Sequence, residues 1–184
     1  MENFNQERME QYKSLEQNIM QTVYEWQVKI GYAKESMNVY FMKDSLCYYC
    51  GEIEKDELRE WLSGFKEFVK ERLGEIKVSG DGKRFCIGVP ESGTAYIKEH
   101  MEGNTFLSAL VEAIKRPDCT MEDIKQIFAS LSKDFVCEKI EGGEFDYVLY
   151  YNDPLLDPFR YCFTVHSHGI YYHRFTSYDY NSVI

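Results

Sequence analysis

Residues 55–89, KDELREWLSGFKEFVKERLGEIKVSGDGKRFCIGV, decide the fold. Leu58, Trp61, Leu62, Phe65, Phe68, Val69 and Leu73 recur at steps of three and four, which predicts an amphipathic helix closed by Gly74. Beyond that glycine the apolar period drops to two. Residues 75–79 and 83–89 flank Gly80-Asp81-Gly82, where Asp81-Gly82 signals a type I′ hairpin turn.

Working toward the N-terminus, MNVYFM at 37–42 reads as a short strand. Asp44 or Ser45 can cap a helical turn over 46–50, which Gly51 closes. Ahead of these lies a long helix whose stripe is Tyr12, Leu15, Ile19, Val23, Trp26 and Ile30, ended by Gly31. Residues 1–8 lack the stripe and are expected to fray. The plain reading of this helix is core packing. The sharper one is a dimer seam, although the pattern lasts under three heptads. Long helix, strand, short helix, longer helix and hairpin are the element order of a winged helix, a likeness of fold that fixes no function.

A DNA-reading winged helix needs a basic reading helix. Here Lys55, Arg59, Lys66, Lys70 and Arg72 are matched by Asp56, Glu57, Glu60, Glu67 and Glu71. The whole chain carries −10 at neutral pH, which argues against counterion-driven binding to nucleic acid or anionic membrane. Neither a signal-peptide core nor a run of about 18 apolar residues occurs, so the expected compartment is the cytoplasm, with no membrane partner. Six cysteines are then expected as reduced thiols.

Toward the C-terminus, Glu91-Ser92-Gly93 marks a turn and 94–101 fits helix or strand. Gly103-Asn104 caps a helix over 105–115 that Pro117 stops, and Thr120 with Asp123 caps another reaching about Ser132. Strands are expected at 135–140 and 145–151 around Gly142-Gly143. FRYCFTVHSHGIYYHRFTSYDY at 159–180 is a further hairpin, with Phe159, Tyr161, Phe163 and Val165 on its apolar face. A loop of two or four residues adds Ile170, Tyr172 and Arg174 to that face. A three-residue Ser167-His168-Gly169 loop adds Tyr171, His173 and Phe175, and this register is preferred because it leaves Arg174 in water. Thr176 and Asp179 cap a short terminal helical turn. The 145–151 stretch, its preceding helix and hairpin echo 68–89 faintly, which shared secondary structure explains as well as duplication does.

The expected fold is thus α+β, with a long N-terminal helix, a winged-helix-like helix–hairpin unit, two helices and a C-terminal antiparallel meander. Residues 1–184 are expected as one compact domain, with possible halves at 9–90 and 91–184.

Site chemistry is sparse. Cys47 and Cys50 share a helical face as zinc or redox pairs do, yet no second ligand pair exists, so buried small hydrophobes are the plainer reading. His166, His168 and His173 lie near one another in the 159–180 hairpin and are the candidate metal ligands, although turn histidines are ordinarily solvated and His173 reads as a buried core histidine. Glu144 and Asp146 share one face of an expected strand, ordinarily a wet edge. Nucleophile elbow, phosphate loop, dinucleotide fingerprint and zinc-protease motifs do not occur, so no catalytic residue and no cofactor is assigned. The expected function is a non-enzymatic protein-interaction or regulatory module, with a protein partner or homodimer. The alternative is a small-ligand or metal binder using Tyr171, His173 and Arg174.

RFCIGVP at 84–90, VCEKIEGGEFDYVLYY at 136–151, and FRYCFTV with YYHRFTSYDY within 159–180 resemble an uncharacterised family of small cytosolic proteins from Clostridia-type bacteria, a domain of unknown function. The resemblance implies a bacterial cytosolic protein of one compact architecture. It implies no activity and no functional residue.

Overall fold

A computed structural model describes residues 2–101 and 105–183, which gather into two compact units, Met1–Gly103 and Asn104–Ile184. The first contains α1 (Glu2–Ile30), β1 (Met37–Met42), α2 (Lys43–Cys50), α3 (Lys55–Leu73), β2 (Lys77–Gly80), β3 (Arg84–Val89) and α4 (Glu91–Met101). Its strands form an antiparallel sheet in the order β1-β3-β2, so element order and pairing are both winged-helix-like.

The stripe of α1 explains the packing only in part. Tyr12, Leu15, Ile19 and Val23 are buried with Leu58, Trp61, Leu62, Phe65, Val69 and Leu73 of α3, each such side chain contributing about 1.5–3 kcal/mol. Trp26 and Ile30, which belong to the same stripe, instead remain 51% and 68% exposed. The helix also runs back to Glu2, through residues whose missing stripe predicts fraying. Close approach of α1 to α3 depends on Gly64, where an added Cβ would collide with the Tyr12 hydroxyl that donates to Trp61 O at 3.1 Å.

Three local expectations change. α2 needs no Asp44 or Ser45 cap, because β1 runs straight into it and the Lys43 N–H already donates to Lys83 O at 2.8 Å. The 94–101 stretch is helix. Gly93 lets it dock, for a Cβ there would meet the Leu73 carbonyl oxygen and Val89 Cγ1. The β2–β3 turn centres on Gly82-Lys83 with positive φ at Gly82 alone, 93°, whereas type I′ requires it at both central residues.

The second unit contains α5 (Thr105–Ile114), α6 (Met121–Leu131), β4 (Phe135–Lys139), β5 (Tyr147–Tyr151), β6 (Phe159–His166), β7 (Gly169–Thr176) and α7 (Ser177–Val183). The strands form the expected meander, β4-β5-β6-β7. Thr120 and Asp123 cap α6 reciprocally, and Asp179 N–H donates to Thr176 Oγ1 at 3.1 Å at the start of α7. The expected cap at Gly103-Asn104 lies outside the described residues.

One face of this sheet packs around Phe128, whose ring lies 5.0 Å from Phe106, 5.4 Å from Tyr151 and 5.3 Å from Tyr161. Asp157, within the loop before β6, is buried there. It accepts the Phe159 N–H at 2.9 Å and the Tyr161 hydroxyl at 2.8 Å, so its desolvation is offset by two bonds. The opposite face holds a smaller cluster of Phe145, Val148 and Cys162 with Ile140, Phe175 and Tyr180 around it.

The β6–β7 register overturns the preferred one. His166 pairs with Gly169, leaving a two-residue Ser167-His168 loop, and Val165, Phe163 and Tyr161 face Ile170, Tyr172 and Arg174. Arg174 is accommodated without full hydration because its guanidinium stacks 4.1 Å above the Phe159 ring. Phe175 is not stranded by the shift, since the second cluster receives it. Among the described residues no helix is long and apolar enough to cross a membrane.

Candidate functional site

In a nucleic-acid-reading winged helix, the element at the position of α3 delivers cations to phosphate. The cations of α3 are largely spoken for. Arg59 pairs with Asp56 at 3.3 Å, and Arg72 forks onto Glu16 at 2.6 and 3.1 Å, a bond that pushes the guanidinium further up. Lys70 meets Glu75 at 2.7 Å, which pushes the ammonium up and holds the carboxyl below its ordinary range.

The outer face of the β1-β3-β2 sheet has a different character. Alternation sends Val39 and Phe41 inward, and sends Asn38, Tyr40 and Met42 outward. Tyr40 is 55% and Met42 56% exposed, so this strand is apolar on both faces. From β3, Arg84 lies opposite Met42 and leans across the strand, its guanidinium carbon 4.7 Å from the Tyr40 ring centre. Lys77 and Lys83 are exposed on β2 and the turn. The Asp81 carboxylate accepts the Lys83 and Arg84 N–H groups at 2.8 and 2.9 Å, and these bonds hold it below its usual range.

The backbone of β1 is open on one side. Lys43 N–H bonds to Lys83 O, so residues 43, 41 and 39 direct their peptide groups at β3. Asp81 N–H bonds to Arg84 O, which assigns the alternate residues of β3 to β2 in the same way. By alternation, the peptide groups of Asn38 and Tyr40 and the N–H of Met42 point to the unpaired edge, while the Met42 carbonyl, at the N-cap of α2, serves that helix. Sequence reasoning found this strand but missed its surface. The signal was available: MNVYFM places large apolar residues at adjacent positions, which a one-sided strand does not need.

Within the CYYC pair, Cys50 is not an activated thiol. Cys50 is buried, its Sγ–H donates to Leu46 O at 3.2 Å, and burial, with Cys47 beside it, pushes the thiol up to about 12. A redox or metal pair requires the reverse shift. Cys50 instead floors a cleft of about 390 Å³ lined by Glu7, Gln11, Glu57, Glu60 and Trp61. Three of those groups are engaged, since Trp61 Nε1–H donates to Gln11 Oε1 at 3.1 Å and Glu57 accepts the Glu54 N–H at 3.0 Å.

The C-terminal hairpin divides its candidate residues. His166 and His168 stack at 5.3 Å between ring centres, with Tyr171 5.5 and 5.9 Å from them at the exposed tip. His173 lies farther along the strand, opposite Cys162, against Phe145 and Phe175 at 5.8 and 6.2 Å. It is exposed, not a core histidine, because the two-residue loop turns it to the face with fewer covering elements. Tyr171 and His173 share that face, while Arg174 points to the other. Among the described residues no group of three His, Cys, Asp or Glu side chains is placed to hold a metal ion. Glu144 and Asp146 precede β5 in place of forming part of it, and the Asp146 carboxylate accepts the Val165 N–H at 2.7 Å.

Fold and surface together define an α+β protein whose winged-helix-like unit has exposed apolar side chains on its edge strand β1 and a helix, α3, whose cations are largely ion-paired. The chain belongs to the family described as "Domain of unknown function, E. rectale Gene description (DUF3877)", whose model matches residues 12–184. No curated protein and no solved structure matches it.

Proposed function

We propose that this chain is a non-enzymatic protein-interaction module, with a regulatory or adaptor role, and that its winged-helix-like unit makes the contact. The observation that carries the reading is the set of large apolar side chains this unit leaves in water: Tyr40 and Met42 on the sheet, Trp26 and Ile30 at the end of α1. Clusters of that kind mark binding surfaces more often than scattered single residues do. Nucleic acid is disfavoured as the partner by the committed cations of α3 and by the net charge of −10.

Native mass spectrometry of the chain purified from its own cell lysate tests the reading. A second copy or another protein is expected on the wild type and is expected to be lost from Tyr40→Glu/Met42→Glu or from Trp26→Glu/Ile30→Glu. A bare monomer for all three refutes it.

A second reading, metal or small-ligand binding at the C-terminal hairpin, is supported by the stacked His166–His168 pair beside Tyr171. Retained zinc that disappears in His166→Ala would favour it.

A further inference from the structure

We propose that the edge of β1 binds an extended acidic peptide segment of a partner protein, which adds to the β1-β3-β2 sheet as a fourth strand. The inference rests on the interaction reading above and names its surface and its partner's chemistry.

Three features of the edge converge on such an occupant. Peptide groups of Asn38 and Tyr40, and the Met42 N–H, point away from β3 and supply main-chain pairing along the strand. Edges not meant for pairing are usually short, charged or proline-bearing. β2, with only four residues and an exposed Lys77 and Ser79, fits that protected type. β1 does not, since Met37–Met42 has six residues, no charge and two exposed large apolar side chains. Their outward rings and thioethers would cover alternate side chains of an incoming strand.

Charge selects the sign of the partner. In a chain of net charge −10, the cations beside this face are Lys43 at the end of β1, Lys77, Lys83 and Arg84. Among the described residues Lys43, Lys77 and Lys83 form no ion pair; of the acids near them, Asp81 is bonded to backbone N–H groups and Asp44 is exposed beside Lys43. Arg84, stacked across Tyr40, is aimed at the edge strand. An acidic strand meets these cations, whereas a second copy offers them only the uncharged Met37–Met42 strand. A second copy is therefore the less complementary occupant.

The test uses a nine-residue peptide alternating glutamate with valine, capped at both ends, and its lysine-for-glutamate counterpart. Hydrogen exchange read by NMR should show the Asn38, Tyr40 and Met42 amides gaining protection on adding the acidic peptide, while the Val39 and Phe41 amides, already paired, change little. The acidic peptide should bind at least about ten-fold more tightly than the lysine one, and Arg84→Gln should remove most of that preference. Asn38→Pro deletes one outward N–H without touching the β3 ladder, and should weaken binding with the fold intact by far-UV dichroism. Absence of amide protection at millimolar acidic peptide overturns the proposal. So does equal binding of the lysine peptide, or protection by a single-stranded oligothymidylate in place of the peptide, which would make this face a nucleic-acid surface. A lysate partner that survives Asn38→Pro and Arg84→Gln but not Trp26→Glu/Ile30→Glu would sink this inference and leave the interaction reading standing.

Discussion

The two sheets solve the same packing problem differently. Both follow a helix that runs into a hairpin, and in both the second strand of that hairpin recruits a further strand, β1 in one unit and β6 in the other. In the first unit β1 and β3 alternate, with one face buried and the other more exposed, as antiparallel sheets commonly do. In the second, β5 and β6 bury consecutive residues, because α5 and α6 serve one face and Phe145 with Tyr180 of α7 serves the other. A sheet covered on both sides is a scaffold. A sheet covered on one side, with an open edge, is a surface.

That contrast predicts where damage is greatest. Phe128→Ala, which empties the point where Phe106, Tyr151 and Tyr161 meet, should cost about 3–5 kcal/mol. The urea midpoint followed by far-UV dichroism measures it. A loss below about 1 kcal/mol would mean that the doubly covered sheet is loosely packed and the comparison fails.

Glycines sharpen it further. Gly93→Ala places a methyl against the Leu73 carbonyl oxygen, a backbone atom with little freedom to retreat, and should cost about 2–3 kcal/mol. Gly142→Ala meets nothing within 4 Å and pays only for its left-handed φ of 76°, so about 1 kcal/mol is expected. Thermal melts of both variants would rank them. The reverse order would show that α4 is not held against α3 as tightly as this close approach requires.

The smallest effect concerns one buried thiol in each unit. From an ordinary value of 9.0, burial pushes Cys50 up to about 12 and Cys162 up to about 11. The folded chain then keeps protons that the unfolded chain releases. Their contribution is fully present below pH 9 and is lost as pH rises toward 11 and 12. Urea midpoints should fall between pH 9 and 10.5, and Cys50→Ala with Cys162→Ala should flatten that slope. An unchanged slope would place both thiols in wetter surroundings than the geometry gives them.

Legibility in the sequence follows the same division. Where one face is wet, polar residues mark the period, and α3 and the β2–β3 hairpin are read almost to the residue. Where both faces are dry the marks vanish. YCF at 161–163 is buried throughout, so the β6–β7 register rests on a judgement about Arg174, and stacking on Phe159 reversed that judgement. Asp157 was hidden for another reason: a loop aspartate beside Pro158 looks solvated, and only the fold brings the Tyr161 hydroxyl to it. The surface at β1 was missed because chemistry was sought among histidines and cysteines, while this edge offers peptide groups, which every sequence contains and none advertises.

An uncapped strand has a cost during synthesis and at high concentration. Identical edges that meet can seed fibrils, and MNVYFM is the kind of uncharged, β-prone hexapeptide from which such ladders grow. In a parallel, in-register ladder Lys43 and Arg84 of each copy would stack on those of the next, so like charge opposes that growth. Their guard depends on ionic strength, for salt near 1 M shortens the reach of a charge to about 3 Å. High salt is therefore the condition under which such a ladder would meet least electrostatic resistance.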